Sequence, residues 1–140
     1  MDEFTAMSRV RNARSARLAT ADADGVPHVV PIVFAVADMH TLVAAIDHKP
    51  KTTYNLKRLR NIVVRPEVSI LVDHYEDDWS RLWWVRLDGT ARVEADDQLR
   101  KQHLGPLIAK YRQYLERPPR GPVIIVEIKT VRSWNADEAL

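Results

Sequence analysis

The run VPHVVPIVFAVA at residues 26–37 places Pro27 and Pro31 inside a segment rich in β-branched residues. Proline has no N–H to give to a ladder, so such a strand does not sit in the middle of a sheet. It is expected to be an edge, to be bulged, or to face a ligand over that part. The segments on either side extend the constraint. Residues 15–22, SARLATAD, alternate in part and run into DADG, a hairpin turn signal. Residues 41–46, TLVAAI, follow the short turn DMH. Three strands joined by tight turns, with no helix between them, argue for an antiparallel barrel and against a doubly wound sheet.

Further along, residues 68–75 (VSILVDHY) read as a fourth strand. Residues 81–94 (RLWWVRLDGTARVE) read as a long strand, or as two joined near Asp88-Gly89. Residues 96–116 are helical, with acids at the start, and Gly105-Pro106 is expected to kink or split them. After the rigid connector RPPRGP, residues 123–134 form a last strand. The sum is a mainly β chain of six to seven strands with two helical inserts. Its 140 residues suit one domain with its own core.

Several chemistries find no residues here. The chain has no cysteine, hence no disulfide framework and no thiolate. It has four glycines, and none forms a phosphate loop or a G-x-G-x-x-G turn. His28, His40, His48, His74 and His103 show no H-x-x-x-H spacing, so no zinc site is expected. His40 reads as a turn residue and His103 as a helix-surface residue. The acids of YEDDW, residues 75–79, read as a loop between strands. No serine stands in a nucleophile-elbow context. Difficult chemistry would therefore belong to a bound cofactor. The first residues mix acids and bases where a secretory leader needs an apolar core, and the longest run free of Asp, Glu, Lys and Arg near them is residues 25–37. That run is short of the roughly 20 residues that span a bilayer. The reading is a soluble cytoplasmic protein with no membrane partner.

The charge distribution is uneven. The formal net charge is only +2, yet residues 49–65 hold Lys49, Lys51, Lys57, Arg58, Arg60 and Arg65 and no acid. Leu56, Leu59 and Val63 fall at helical spacing, and a short helix is expected over residues 52–62, with Thr52 and Thr53 near its N-cap. In that helix Lys57, Arg58 and Arg60 lie away from the apolar stripe. Lys49 and Lys51 precede it, and cations before a helix N-terminus can make an anion site, with Thr52, Thr53 and Asn55 as neutral donors nearby. A basic nucleic-acid surface is the competing reading. No helix-turn-helix or RNA-binding signature accompanies it, and Arg9, Arg11, Arg14 and Arg17 are spaced so that they need not share a face.

Residues 15–35 (SARLATADADGVPHVVPIVFA) and the stretch beginning DHKPKTTYNLKRLRNI and running through DDWSRLWWVR resemble the flavin/deazaflavin oxidoreductase superfamily. These are split β-barrel, FMN-binding-like proteins similar to pyridoxamine 5′-phosphate oxidase. The resemblance is nearest to the actinobacterial branch of coenzyme F420-dependent enzymes. It covers residues 15–93 strongly and the C-terminal VRSW more loosely. It implies a homodimeric split barrel with two cofactor sites at the subunit interface. It implies that F420 lies with its ring along the second strand, at His28, Val29, Val30, Pro31, Ile32 and Val33. Its phosphate and acidic tail would rest on Lys49 and Lys51, with Thr52 and Asn55 beside them and Arg58 in reserve for the tail. FMN is the alternative cofactor. The distinct C-terminal substrate motif of pyridoxamine phosphate oxidases is absent from VRSWNADEAL, which lowers the FMN oxidase reading.

The tryptophans divide by strand geometry. Adjacent residues point to opposite faces, so only one of Trp83 and Trp84 can face a given site. Trp79, Trp84, Arg86 and Trp134 are the substrate-pocket candidates, with core or dimer interface as the alternative for the tryptophans. Arg86 shares the face of Trp84, and if buried it would need a carboxylate or an anion. His28 and His74 are candidate proton donors. Together these expectations describe an F420H2-dependent reductase that acts on an electron-poor small molecule; quinones, unsaturated lactones and tetrapyrroles lie within the family's range. A non-catalytic F420, FMN or tetrapyrrole carrier and a nucleic-acid module are the other two classes.

Overall fold

The computed structural model describes residues 1–46 and 56–139, with side chains described as far as Asp137. Seven strands form one curled antiparallel sheet: β1 (Ala16–Ala21), β2 (Pro27–Ile32), β3 (Phe34–Asp38), β4 (Thr41–Ala45), β5 (Glu67–His74), β6 (Trp83–Glu94) and β7 (Val123–Asn135). Their order is β2-β1-β5-β6-β7-β4-β3, and every pairing is antiparallel. The expected barrel is therefore present, as a split one.

The run at residues 26–37 differs from expectation. It forms two strands, not one, and they stand at opposite edges of the sheet. The break falls at Val33, and its cause lies far along the chain. The Tyr111 hydroxyl accepts from Phe34 N–H at 3.0 Å and donates to Phe34 O at 2.8 Å. Arg14 O is also within 3.0 Å of it. A side chain thus satisfies the backbone groups that a continuous strand would have given to a neighbour.

Both prolines do lie on an edge strand. In the β1–β2 hairpin Asp22 N–H bonds Val26 O, and Gly25 takes the turn's positive φ of 82°. Ladder alternation then makes Thr20–His28, Leu18–Val30 and Ala16–Ile32 the hydrogen-bonded pairs. Pro27 and Pro31 fall at positions whose N–H would point away from β1, so neither costs a ladder bond.

The barrel interior is filled from alternate residues of every strand, among them Leu18, Phe34, Ile70, Val85, Leu87 and Ile124. A helix that the sequence did not signal, α1 (Glu3–Asn12), closes one end. Asp2 caps it by accepting from Thr5 N–H at 2.8 Å, and Ala6, Met7 and Val10 enter the core. A second core covers the other face of β3, β4 and β7, where Leu107, Tyr111 and Tyr114 pack on Ala35, Val43 and Ile125. These residues come from the expected helical region, split at Gly105-Pro106 into α3 (Asp97–Lys101), α4 (Gly105–Lys110) and α5 (Gln113–Glu116). His103 accordingly lies in the turn between α3 and α4, not on a helix surface. The two halves of β6 are one strand with a register shift against β7 between Asp88 and Gly89.

Helix α2 (Lys57–Val64) starts later than expected, with Leu56 at its N-cap and no side-chain cap. Its buried face is also rotated. Leu59, Asn61 and Ile62 are buried, Arg58 is half-buried among them, and Val63 is 75% exposed. The reason is Asn61, which donates from Nδ2 to Thr20 Oγ1 at 3.0 Å. A satisfied polar residue belongs to the packed face, and an apolar stripe cannot count it.

Candidate functional site

The alternation that accommodates the prolines also defines what β2 offers on its open side. The backbone groups of Pro27, Val29 and Pro31 point away from β1, and among the described residues β2 pairs with no other strand. Two of the three lack an N–H. That edge therefore carries one donor, Val29 N–H, flanked by the carbonyls of Pro27, Val29 and Pro31. Side chains alternate as well. His28, Val30 and Ile32 face the interior, and Val29, 62% exposed, faces out with Pro31. His28 Nδ1 is buried and has no hydrogen-bond partner. It stands opposite Thr20, next to the buried Thr20–Asn61 bond.

Lys49, Lys51, Thr52 and Asn55 lie outside the described residues, and so does the expected N-cap at Thr52 and Thr53. The flanks of that segment are described, and they bracket β2. Strand β4 pairs Ala44 with Phe34, just past the C-terminal end of β2. On the other side, Lys57 Nζ is 3.6 Å from Asp22 Oδ2, in the turn that leads into β2. Backbone bonds from Val26 and Asp24 hold the Asp22 carboxyl below its usual range, against the opposing effect of burial, with Lys57 adding to them. Arg58 sits in the middle of the packed face of α2.

The substrate-pocket candidates fall elsewhere. Trp84 pairs with Trp134, and Arg86 with Arg132, on the outward face of β6 and β7. In the strand order β2-β1-β5-β6 they are three strands from β2, so one chain does not bring the two sets together. Arg86 is exposed, so the burial that would demand an anion is not met; its Nε lies 3.1 Å from both oxygens of Asp88. Burial would raise the Asp88 pKa, but bonds from Ser69, Arg86 and Thr130 outweigh it and hold it low. Trp79, on a 3-10 turn at Trp79–Arg81, is 77% exposed. His74 bonds Glu76 and stacks on Trp83.

One cluster escaped the sequence. Arg9, Arg14 and Arg17 do share a surface, a groove at the barrel end next to α1, with Trp83 in its wall. Only the helix brings Arg9 to it, and the apolar pattern of α1 is too sparse to announce a helix.

Residues 4–135 match the family described as pyridoxamine 5′-phosphate oxidase. The chain belongs to this family. Solved structures give the same fold at low identity. A conserved hypothetical protein from Mycobacterium tuberculosis superposes with a TM-score of 0.78 at 20% identity, over 100% of this chain and 89% of that one. A FAD-binding protein from Mesorhizobium loti gives 0.71 at 21% identity, over 95% and 94%. The heme storage protein HutZ from Vibrio cholerae gives 0.70 at 18% identity, over 95% and 93%. A search of curated protein sequences gives no match. Among the described residues no helix is long and apolar enough to cross a membrane, and no three His, Cys, Asp or Glu side chains gather as metal ligands.

Proposed function

We propose that this pyridoxamine 5′-phosphate oxidase family member is an F420H2-dependent reductase that holds the deazaflavin ring along the open edge of β2. The observation that carries the reading is the edge itself: one backbone donor set between carbonyls, on a strand whose two prolines keep it from pairing further. Val29 N–H would donate to a ring carbonyl, and the carbonyls of Pro27, Val29 and Pro31 would accept from a ring N–H. Lys49 and Lys51 would hold the phosphate, with Thr52 and Asn55 as neutral donors and Arg58 toward the acidic tail. A run of cations without an acid becomes favourable against a ligand bearing several negative charges, since charge-assisted bonds are the stronger kind. When bound, the reduced cofactor supplies a hydride to an electron-poor double bond. The chain orients the two partners and excludes water.

The outward face of β6 and β7, with Trp84 beside Trp134, would meet a second copy, placing these residues and Arg86 near the partner's cofactor in a homodimer. Sedimentation gives the test: a monomer at assay concentration would remove that role.

The likeness to FAD-binding and heme storage proteins favours a second reading, in which the same edge takes FMN or a tetrapyrrole without turnover. Titration with F420, FMN and heme, followed by tryptophan fluorescence, separates them. Tight FMN binding with no response to F420 would overturn the cofactor assignment. Lys51→Ala should weaken F420 binding more than Lys57→Ala; equal losses would mean a diffuse field and no defined site.

A further inference from the structure

Of the lysines among the described residues, all but Lys110 hold a carboxylate. Lys57 faces Asp22 at 3.6 Å, Lys101 faces Asp97 at 3.0 Å and Lys129 faces Glu127 at 2.8 Å. Lys110, the last residue of α4, instead has its Nζ buried with no hydrogen-bond partner. It rests 3.9 Å from the centre of the Phe34 ring and 5.3 Å from that of Tyr111. Ring faces attract a cation but accept none of its hydrogens as a carboxylate would. The neighbouring charge has the same sign. The Arg14 guanidinium lies 4.9 Å over the Tyr111 ring, and its Nη2 donates to Lys110 O at 3.1 Å. Burial first, and Arg14 second, lower the Lys110 pKa to about 8, so the free amine is populated near neutral pH.

An uncharged amine shielded from water and set near a guanidinium is a nucleophile for a small electrophile. Carbon dioxide is apolar and triatomic. Lys110 as a whole is only partly buried, so the cover over its Nζ is thin and the path for such a molecule is short. In the addition, the nitrogen lone pair forms a C–N bond and one C–O π pair moves onto oxygen. A proton leaves to water, and nothing is oxidised or reduced. The product is a carbamate, so a cation becomes an anion. The field of Arg14, which opposes the ammonium, then favours the adduct. Arg14 also keeps guanidinium donors beyond the one given to Lys110 O, and carbamate oxygens are acceptors for them.

We propose that Lys110 takes up carbon dioxide as a reversible carbamate, with Arg14 as its counter-charge. The ligand class is the dissolved gas and not bicarbonate, because the bond forms at carbon by addition to the free amine.

The test equilibrates the full chain near pH 8, the pKa of this amine, with isotope-labelled bicarbonate and its dissolved carbon dioxide. Sodium chloride at matched ionic strength is the control. Carbon NMR should show a protein-bound carbamate signal. Trapping with an oxonium alkylating reagent, followed by peptide mass spectrometry, should place the adduct on Lys110, and the ion-paired Lys57, Lys101 and Lys129 should stay free of it. Lys110→Met should remove that signal. Arg14→Gln should lower the trapped fraction at Lys110 about threefold or more, the scale of one screened charge–charge interaction. Arg14→Lys keeps the charge and should restore most of it, which a merely structural role for Arg14 would not predict. The α-amine of Met1 serves as an internal reference, and trapping there without trapping at Lys110 overturns the proposal. So does an adduct spread evenly over the lysines, or one at Lys110 that Arg14→Gln leaves unchanged.

Discussion

Asn61 reaches across from α2 and donates its Nδ2 hydrogen to Thr20 Oγ1 at 3.0 Å, and both residues are almost fully buried, at 3% and 4% exposure. The bond ties α2, the helix within the cationic run, to β1, the strand that pairs with β2. Removing one partner leaves the other buried and unpaired, so Asn61→Ala or Thr20→Val should each cost about 1–3 kcal/mol. The double change Thr20→Val with Asn61→Ala should cost less than the sum of the single changes, because no polar group is left behind. Urea unfolding of the four proteins measures this directly. Strictly additive losses would show that the two side chains do not depend on one another.

Gly89 sits where the β6 register shifts, and there the backbones of β6 and β7 come unusually close. A Cβ at this position would stand 2.1 Å from Glu127 O, with a second backbone atom at 3.0 Å. Backbone cannot swing aside as a side-chain tip can. Gly89→Ala should therefore lower stability by about 3 kcal/mol or more, or prevent folding. Gly105→Ala makes the control: a Cβ there meets nothing within 4 Å. It should be neutral or stabilise by up to about 1 kcal/mol. Thermal unfolding of both variants decides it, and similar melting temperatures would sink the close-approach argument.

What could be read from the sequence and what could not follow from the range of the forces involved. The strands were legible because β-branched runs and the DADG turn are local. The split at Val33 was not, because its cause is the hydroxyl of Tyr111, which lies 77 positions from Phe34. Helix α1 was hidden because only Ala6, Met7 and Val10 of its ten residues are buried. With the helix unseen, Arg9 could not be placed beside Arg14 and Arg17. The proline pattern did mark β2 as an edge, and the hairpin bond from Asp22 to Val26 then fixed which backbone groups are open. The resemblance supplied the family, and no periodicity in the chain could have done so.

Lys110 shows the cost of a buried ammonium. Its Nζ is buried without a hydrogen-bond partner, 3.9 Å from the centre of the Phe34 ring, whose face returns part of the lost hydration. Burial, with Arg14 adding repulsion, lowers its pKa from 10.5 to about 8. Because the folded pKa lies below the unfolded one, the unfolded chain binds the extra proton between pH 8 and 10.5, and this residue's contribution to stability rises with pH across that window. Below it the charged form is a net burden. Lys110→Met should thus stabilise the protein at pH 7, by about 1 kcal/mol once solvent screening is allowed for. The advantage should fade toward pH 10.5, where the lysine is neutral in the folded state and half neutral in the unfolded one. Unfolding curves for the two proteins from pH 7 to 10.5 test it, and a constant offset would refute it.

Val29 offers the sharpest handle on the proposed cofactor edge. Its N–H points away from β1, as those of Pro27 and Pro31 would, so Val29→Pro removes one open donor and no ladder bond. The strand tolerates proline at the positions on either side in this alternation, and residue 28 is already extended as a residue before proline must be. The melting temperature should stay within a few degrees of the parent, on the scale of a change below 1 kcal/mol. If the ring is held by this edge, affinity for the cofactor should drop about tenfold, the loss of one hydrogen bond to a group that then stays unpaired. Val29→Ala keeps the N–H and should bind nearly as the parent does. Fluorescence titration of the three proteins with F420 and FMN reads the outcome. Unchanged binding by Val29→Pro, with the fold intact, would show that the ring does not use the β2 backbone.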